Sequence, residues 1–363
     1  MQELPSVTTP TDLAYVIDAV HAAPLVAVDT EFVRETTYFP QLCLIQVAAQ
    51  ECVACVDCLA HIDLEPLYAT LLRPDCTWLV HSARQDLEVI WQRTGRLPAR
   101  IVDTQIAAAL TGMPPQIGLE GLLERTMGVV LGESLARTDW SRRPLPEAAV
   151  RYALDDVRYL LPAWRKLEAE LHALGRIEWL EEDCRRLLAE PPLTEPAVLA
   201  ARLRTARNAT AEQQAAVLAL VEWREQAAQR ANRPRRWILA DDVLLAIAQA
   251  LPATVDELGQ VAPARFATRV GAEVVAAVAT RGDARVGAIG AAQNERAAPD
   301  KQQLRALQEL ARRHAATLGI EPEILATRRD LAALAVGAPP PHLRAGWRAA
   351  ELVRAGAEGG AAV

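Results

Sequence analysis

Two carboxylates, Asp29 and Glu31, stand one residue apart at the end of the apolar run Leu25-Val26-Ala27-Val28. That run reads as a buried strand, and positions i and i+2 of a strand share one face. Side by side, two negative charges oppose each other's ionisation. A hard divalent cation with oxygen ligands would relieve the conflict. A strand end whose polar residues meet solvent would carry the same Asp-x-Glu. Asp86 offers a third carboxylate, just inside a helix that follows the apolar stretch ending at Val80. Alone it could serve only as a partner for the helix dipole. Tyr152 and Asp156 lie four apart, on one face of a further helix, and Tyr159 continues that face.

The elements that must position these groups follow from apolar periodicity. Leu13, Val16, Ile17 and Val20 predict a helix over 11–22 capped by Thr9 or Thr11. Strands are expected at the Leu25 run, over 41–49 and over 52–57, with connections short enough for an antiparallel meander. A short helix is expected over 64–72, a strand over 77–81, and a helix over 84–93 that stops at Gly95. Another short strand covers 101–103, with Asp103 capping the next helix. The fold class is therefore α/β, a sheet with helices packed on it. Helices follow over 118–127, from Pro146 or Glu147 through Asp156 with a kink at Pro162, and over 176–190. The proline-rich stretch 191–196 is the clearest linker, and only helices are expected beyond it.

Composition narrows the functional classes. The chain has 363 residues, room for two or three domains, and a net charge of −7, so any contact with nucleic acid needs local basic patches. Arg230, Arg233, Arg235 and Arg236 form one such run; a solvated face would look the same. No apolar run is long enough to cross a bilayer, so no membrane partner is expected, and the first residues lack an export signal. The six cysteines fit a reducing cytoplasm. Cys52, Cys55 and Cys58 have metal-like spacing but fall in a predicted strand, where small buried hydrophobes explain them better.

Taken together, Asp29-x-Glu31, Asp86 and Tyr152-x3-Asp156 resemble the three motifs of DEDD exonucleases in their tyrosine-type branch. Val28 to Arg34, Tyr38 to Leu42, Leu44-Ile45-Gln46, His81-Ser82-Ala83, Asp139-Trp140 with Arg143-Pro144-Leu145, and Tyr152 to Leu161 are similar to the ribonuclease D family. Residues 215–244, with Trp223-Arg224 and Ala231-Asn232-Arg233-Pro234, resemble the helicase-and-RNase-D C-terminal (HRDC) domain. The resemblance implies a ribonuclease H-like 3′–5′ exonuclease domain, a mixed sheet flanked by helices, over 1–190. A linker and lead-in helix over 191–209, an all-α HRDC domain over 210–292 and a second, divergent helical domain over 300–363 would follow.

It also implies hydrolysis of RNA from its 3′ end with two divalent ions, Mg²⁺ or Mn²⁺, and release of 5′-nucleoside monophosphates. Asp29, Glu31, Asp86 and Asp156 would hold the ions, with Glu31 and Tyr152 serving the attacking water. Phe32, His81, Ser82, Arg233, Arg235 and Arg236 would contact substrate. Transfer RNA precursors and other structured RNAs are the expected partners, and the enzyme would act as a cytoplasmic monomer. A proofreading-type DNA exonuclease and a non-catalytic RNA-binding scaffold are the competing readings; the intact set of acids and the HRDC-like tail count against both. Because the motifs end before the linker, a fragment ending near Glu190 is expected to fold alone.

Overall fold

The computed structural model describes residues 2–50, 52–203, 209–280, 282 and 299–359. The chain divides into two compact units: Met1–Val33, Gln41–Pro192 and Ala298–Val363 form the first, Arg34–Pro40 and Leu193–Ala297 the second. The expected domain limits at 209 and 292 adjoin or fall in residues outside the described ones.

The first unit opens with β1 (Gln2–Val7), α1 (Pro10–His21), β2 (Leu25–Val33), β3 (Gln41–Ala48), β4 (Cys52–Asp57) and α2 (Glu65–Leu71). It continues with β5 (Thr77–Val80), α3 (Arg84–Thr94), β6 (Arg100–Asp103), α4 (Thr104–Leu110) and α5 (Leu119–Met127). Then come α6 (Glu147–Arg158), α7 (Leu160–Leu174) and α8 (Ile177–Ala189). The six strands form one mixed sheet in the order β1-β4-β3-β2-β5-β6. β2, β3 and β4 are antiparallel, as their short connections require, while β5 and β6 run parallel to β2. Thr9 caps α1 by accepting from the Asp12 amide, and Asp103 caps α4 by accepting from the Gln105 amide at 2.8 Å.

Two local features depart from the expectations. β1 adds a parallel edge strand to β4, with a register shift between Leu4 and Val7 around Pro5; an edge is where a strand tolerates proline. The helix expected to kink at Pro162 ends instead at Arg158, and α7 starts at Leu160. Pro162 has no N–H to give the Arg158 carbonyl, so the α-helical ladder cannot pass that point.

In the second unit the helices are α9 (Pro196–Arg202), α10 (Ala211–Ala231), α11 (Arg235–Ile238), α12 (Asp241–Ala250), α13 (Val255–Val261) and α14 (Ala264–Ala279). Their core gathers Leu220, Val221, Trp223, Leu244, Ile247, Leu258, Phe266 and Val274. Thr210 and Gln213 close a capping box at the start of α10. Arg34–Pro40 belongs to this unit through Tyr38, whose hydroxyl donates to Glu225 at 2.9 Å and accepts from Gln229 at 3.1 Å.

The chain ends with α15 (Lys301–Leu318), α16 (Pro322–Leu325), α17 (Arg328–Ala335), α18 (Pro341–Arg344) and α19 (Trp347–Gly359). Expected as a domain apart, these helices share the first unit's core through Leu310, Ala315, Ile320, Leu331 and Trp347. Trp347 stacks on Trp179 of α8 with ring centroids 4.3 Å apart, and Arg348 pairs with buried Asp183 (Nη2–Oδ2 2.9 Å). Arg176 donates to the carbonyls of Leu110 (2.6 Å) and Leu318. Gly112, at φ +96°, lies against the Gly319 carbonyl so closely that a Cβ would collide with it. Period-3.6 patterning announced these helices without saying whose core they complete.

Candidate active site

β2 carries Asp29 and Glu31 out to its C-terminal end, where the pairing with β3 shifts register between Glu31 and Phe32. α6 packs across β2, β3 and β4, and its four-residue spacing presents Tyr152 and Asp156 together. Carboxylate oxygens of Asp29, Glu31 and Asp156 can all lie within 4.8 Å of one another. Asp86, in the first turn of α3, stands outside that trio. Its carboxylate accepts a 2.5 Å hydrogen bond from Thr30, whose side chain alternates away from the two acids beside it. All four acids and Tyr152 line one cavity of about 660 Å³, together with Phe32, His81, Ser82, Arg84 and Gln85.

The acids raise one another's pKa values. Burial pushes Asp29 well above the usual carboxylate range, with the charges of Asp86, Asp156 and Glu31 adding to it. Burial, then Asp156 and Asp86, lifts Glu31 to about 9. Burial raises Asp86 to about 7 against the opposing Thr30 hydrogen bond. Burial raises Asp156 to about 7 against a hydrogen bond from Tyr152. The Tyr152 phenol is pushed up by burial and by Asp156 and Glu31, while the Ser134 hydroxyl hydrogen-bonds it and opposes the shift. So tight a set of oxygen-only donors, each resisting ionisation, fits a divalent cation: bound positive charge would offset both the burial and the repulsion.

The proposed substrate contacts are less alike. Phe32 is half-buried and faces the cavity. Ser82 is exposed there, with its backbone in the left-handed region at φ 63°. Asp103 braces that turn by accepting from the amides of Ser82 (3.1 Å) and Ala83 (2.9 Å). His81 lines the cavity with both ring nitrogens engaged. Burial lowers its pKa, and the neutral ring donates from Nε2 to the Ile117 carbonyl (3.0 Å), while Nδ1 lies 2.9 Å from the Thr104 hydroxyl, which also bonds the Val80 carbonyl.

Arg233, Arg235 and Arg236 lie in the second unit, at the end of α10 and on α11. Their run contains no acid, yet the fold supplies two: Glu225 pairs with Arg235 at 3.2 Å and Asp241 with Arg236 at 3.1 Å. Arg233 instead lies over the exposed Trp237 ring, 5.8 Å from its centroid.

Sequence reasoning missed Thr30, Ser134 and Gln85. Thr30 occupies the variable position of Asp-x-Glu, and Ser134 lies in an irregular stretch, so neither carries a local signal. The cysteine run is buried or nearly so, its thiols free and held protonated chiefly by burial.

Residues 5–172 match the family described as 3′-5′ exonuclease, and residues 213–278 match the HRDC domain. The ribonuclease D of Gluconacetobacter diazotrophicus is 40% identical over 258 residues, which span 70% of this chain and 65% of that relative. The ribonuclease D of Granulibacter bethesdensis is 35% identical over 353 residues, spanning 94% of this chain and 89% of the relative. Among solved structures, Escherichia coli RNase D, described as an exoribonuclease involved in structured RNA processing, superposes with a TM-score of 0.79. It is 30% identical, and the match covers 99% of each chain.

Proposed function

The chain belongs to the ribonuclease D family of 3′–5′ exoribonucleases, and from that premise we propose that it trims structured RNAs from their 3′ ends, transfer RNA precursors above all. The observation that carries this reading is the gathering of Asp29, Glu31, Asp86, Asp156 and Tyr152 around one cavity. Its activity requires divalent metal, in keeping with the carboxylate cluster. Two such ions, Mg²⁺ or Mn²⁺, would lower the pKa of the attacking water and neutralise charge on the attacking and leaving oxygens.

Asp29 would be shared between the ions, Glu31 and Asp156 would hold the one on the nucleophile side, and Asp86 would hold the other. Tyr152 orients the water through its hydroxyl. With its pKa pushed above the ordinary phenol value, it stays protonated at neutral pH and acts as a hydrogen-bonding guide, not as a base. Phe32 offers a ring to the terminal base. Ser82 offers a hydroxyl to the ribose or phosphate. His81, with both nitrogens taken, supports the turn that presents Ser82. In the second unit Arg233 is the arginine best placed to meet phosphate, since Arg235 and Arg236 already face acids.

The test is a digestion series on 5′-labelled, 3′-extended transfer RNA beside matched single-stranded DNA, using dialysed protein with and without Mg²⁺. Stepwise shortening of the RNA only when Mg²⁺ is added is the expected result. Preference for the DNA, or undiminished cleavage in chelator, would overturn the reading.

A further inference from the structure

Gln46 is fully buried on β3, and neither its amide nitrogen nor its amide oxygen has a hydrogen-bond partner in the protein. A buried amide left in that condition is costly, so a glutamine survives there only if a polar group meets it. Strand register identifies the group. Gln46 is paired directly with Asp29 across β2 and β3, and with Cys55 on the other side. Residues directly opposite in an antiparallel pair share a face, with Cβ atoms about 4.5–5.5 Å apart.

The remaining surroundings offer little. Cys55 is a buried thiol and a weak hydrogen-bonding partner. α6, which roofs this face, buries Ala149, Ala153 and Val157, and its polar side chains are engaged elsewhere: Tyr152 hydrogen-bonds Asp156, and Asp155 pairs with Arg158 at 3.0 Å. The Asp29 carboxylate is the strong acceptor that the sheet brings alongside.

We propose that Gln46 is a positioning residue for Asp29: its amide N–H holds one carboxylate oxygen, directly or through one buried water, and leaves the other turned toward the cavity. The assignment rests on Asp29 being a ligand shared between the ions. An oxygen held from behind has fewer orientations to lose when the site fills. A glutamine can do this without adding charge beside four acids that already repel one another.

Gln46→Met preserves length and removes both polar atoms. Mn²⁺ binding to the metal-free protein, followed by calorimetry, should weaken about 10- to 100-fold, the usual effect of losing a group that orients a metal ligand. Steady-state cleavage of a 3′-extended RNA should lose a comparable factor in kcat with little change in KM. The thermal transition of the metal-free protein should not fall, because the variant buries no unpaired amide. Parental Mn²⁺ affinity and kcat in Gln46→Met would overturn the proposal. So would a lowered thermal transition with unchanged affinity, the mark of a merely structural role. If Gln46→Met does not fold, Gln46→Asn, whose amide is drawn back by one methylene, is read by the same two measurements. Asp29→Asn separates the layers of the argument: Mn²⁺ binding and cleavage retained in it would defeat the reading of the site itself. Binding lost in Asp29→Asn but kept in Gln46→Met would defeat only the role of Gln46.

Discussion

Glu31 shows what the acidic cluster costs when no cation is bound. Its folded pKa of about 9 lies far above that of a free glutamate, so the folded state holds a proton that the unfolded chain has released. Between the ordinary carboxylate range and about 9, that difference penalises folding more as pH rises. Metal-free protein in chelator should therefore become more stable, as far as Glu31 is concerned, when pH is lowered from 9 toward 5. Glu31→Gln should raise the neutral-pH melting temperature of the metal-free protein and flatten this dependence. It should also lose most of the stabilisation that Mg²⁺ gives the parent; differential scanning calorimetry with and without chelator checks all three. Tyr152→Phe probes the other partner in the site. If the hydroxyl guides the water, kcat should fall by roughly 10²–10⁴ with little change in KM, the range for positioning and proton-transfer groups. Single-turnover cleavage at saturating Mg²⁺ measures it, and a rate within about threefold of the parent, far short of that range, would remove Tyr152 from the role.

The irregular stretch before α6 decides where that helix begins, and Arg143 fastens it. All five guanidinium N–H groups are used. Nε and Nη2 bind Asp57 at 2.6 and 2.7 Å, Nη2 also reaches the Cys43 carbonyl, and Nη1 donates to the carbonyls of Trp140 and Arg142. Trp140, thus held, buries its ring beside Tyr152 with centroids 6.2 Å apart. Arg143→Lys cannot reproduce the fork and should cost about 2 kcal/mol, the scale of hydrogen bonds to a charged group. Urea unfolding measures that loss, and kcat should drop as the support of Tyr152 loosens. Hydrogen bonds and charge from Arg143 outweigh burial and hold Asp57 below its ordinary pKa. The stability it contributes is thus present above the free-aspartate range and lost as pH falls through the lowered value.

At this scale the sequence was readable wherever the signal was local. The caps at Thr9 and Asp103 and the Asp-x-Glu and Tyr-x3-Asp spacings lie within a few residues of what they organise. β1 was not readable, because Gln2, Glu3, Pro5 and Ser6 give no apolar alternation; its partner β4 lies some fifty residues away. Ser134 acquires meaning only from tertiary neighbours, and Thr30 and Gln46, though they lie inside family-like stretches, acquire their partners Asp86 and Asp29 only from the fold.

The first unit is discontinuous. Its sheet and acids come from the first 192 residues, but its core is completed by helices from beyond residue 298. A fragment ending near Glu190 would uncover Trp179 and leave buried Asp183 without Arg348. Its midpoint in urea should lie well below that of the full chain, if it unfolds cooperatively at all, contrary to the expectation from motif positions. The informative deletion is internal: replacing 193–297 by a flexible Gly/Ser linker should keep a folded unit that cleaves short single-stranded RNA. Affinity for structured RNA should fall with the loss of the arginines near α11, as a titration against transfer RNA would register. Gly112→Ala makes the same point with one methyl, since its Cβ would meet the Gly319 carbonyl. It should lower the melting temperature without touching any acid of the site.

The same discontinuity sets an order of events during synthesis. At roughly 5–20 residues per second, a ribosome delivers Asp156 many seconds before Trp347. Throughout that interval the growing chain already carries every acid of the site. The surface of α8 that Trp347 and Arg348 will cover is still bare. A ribonuclease assembled this way reaches its finished form only after the residues around Trp347 have joined the chain.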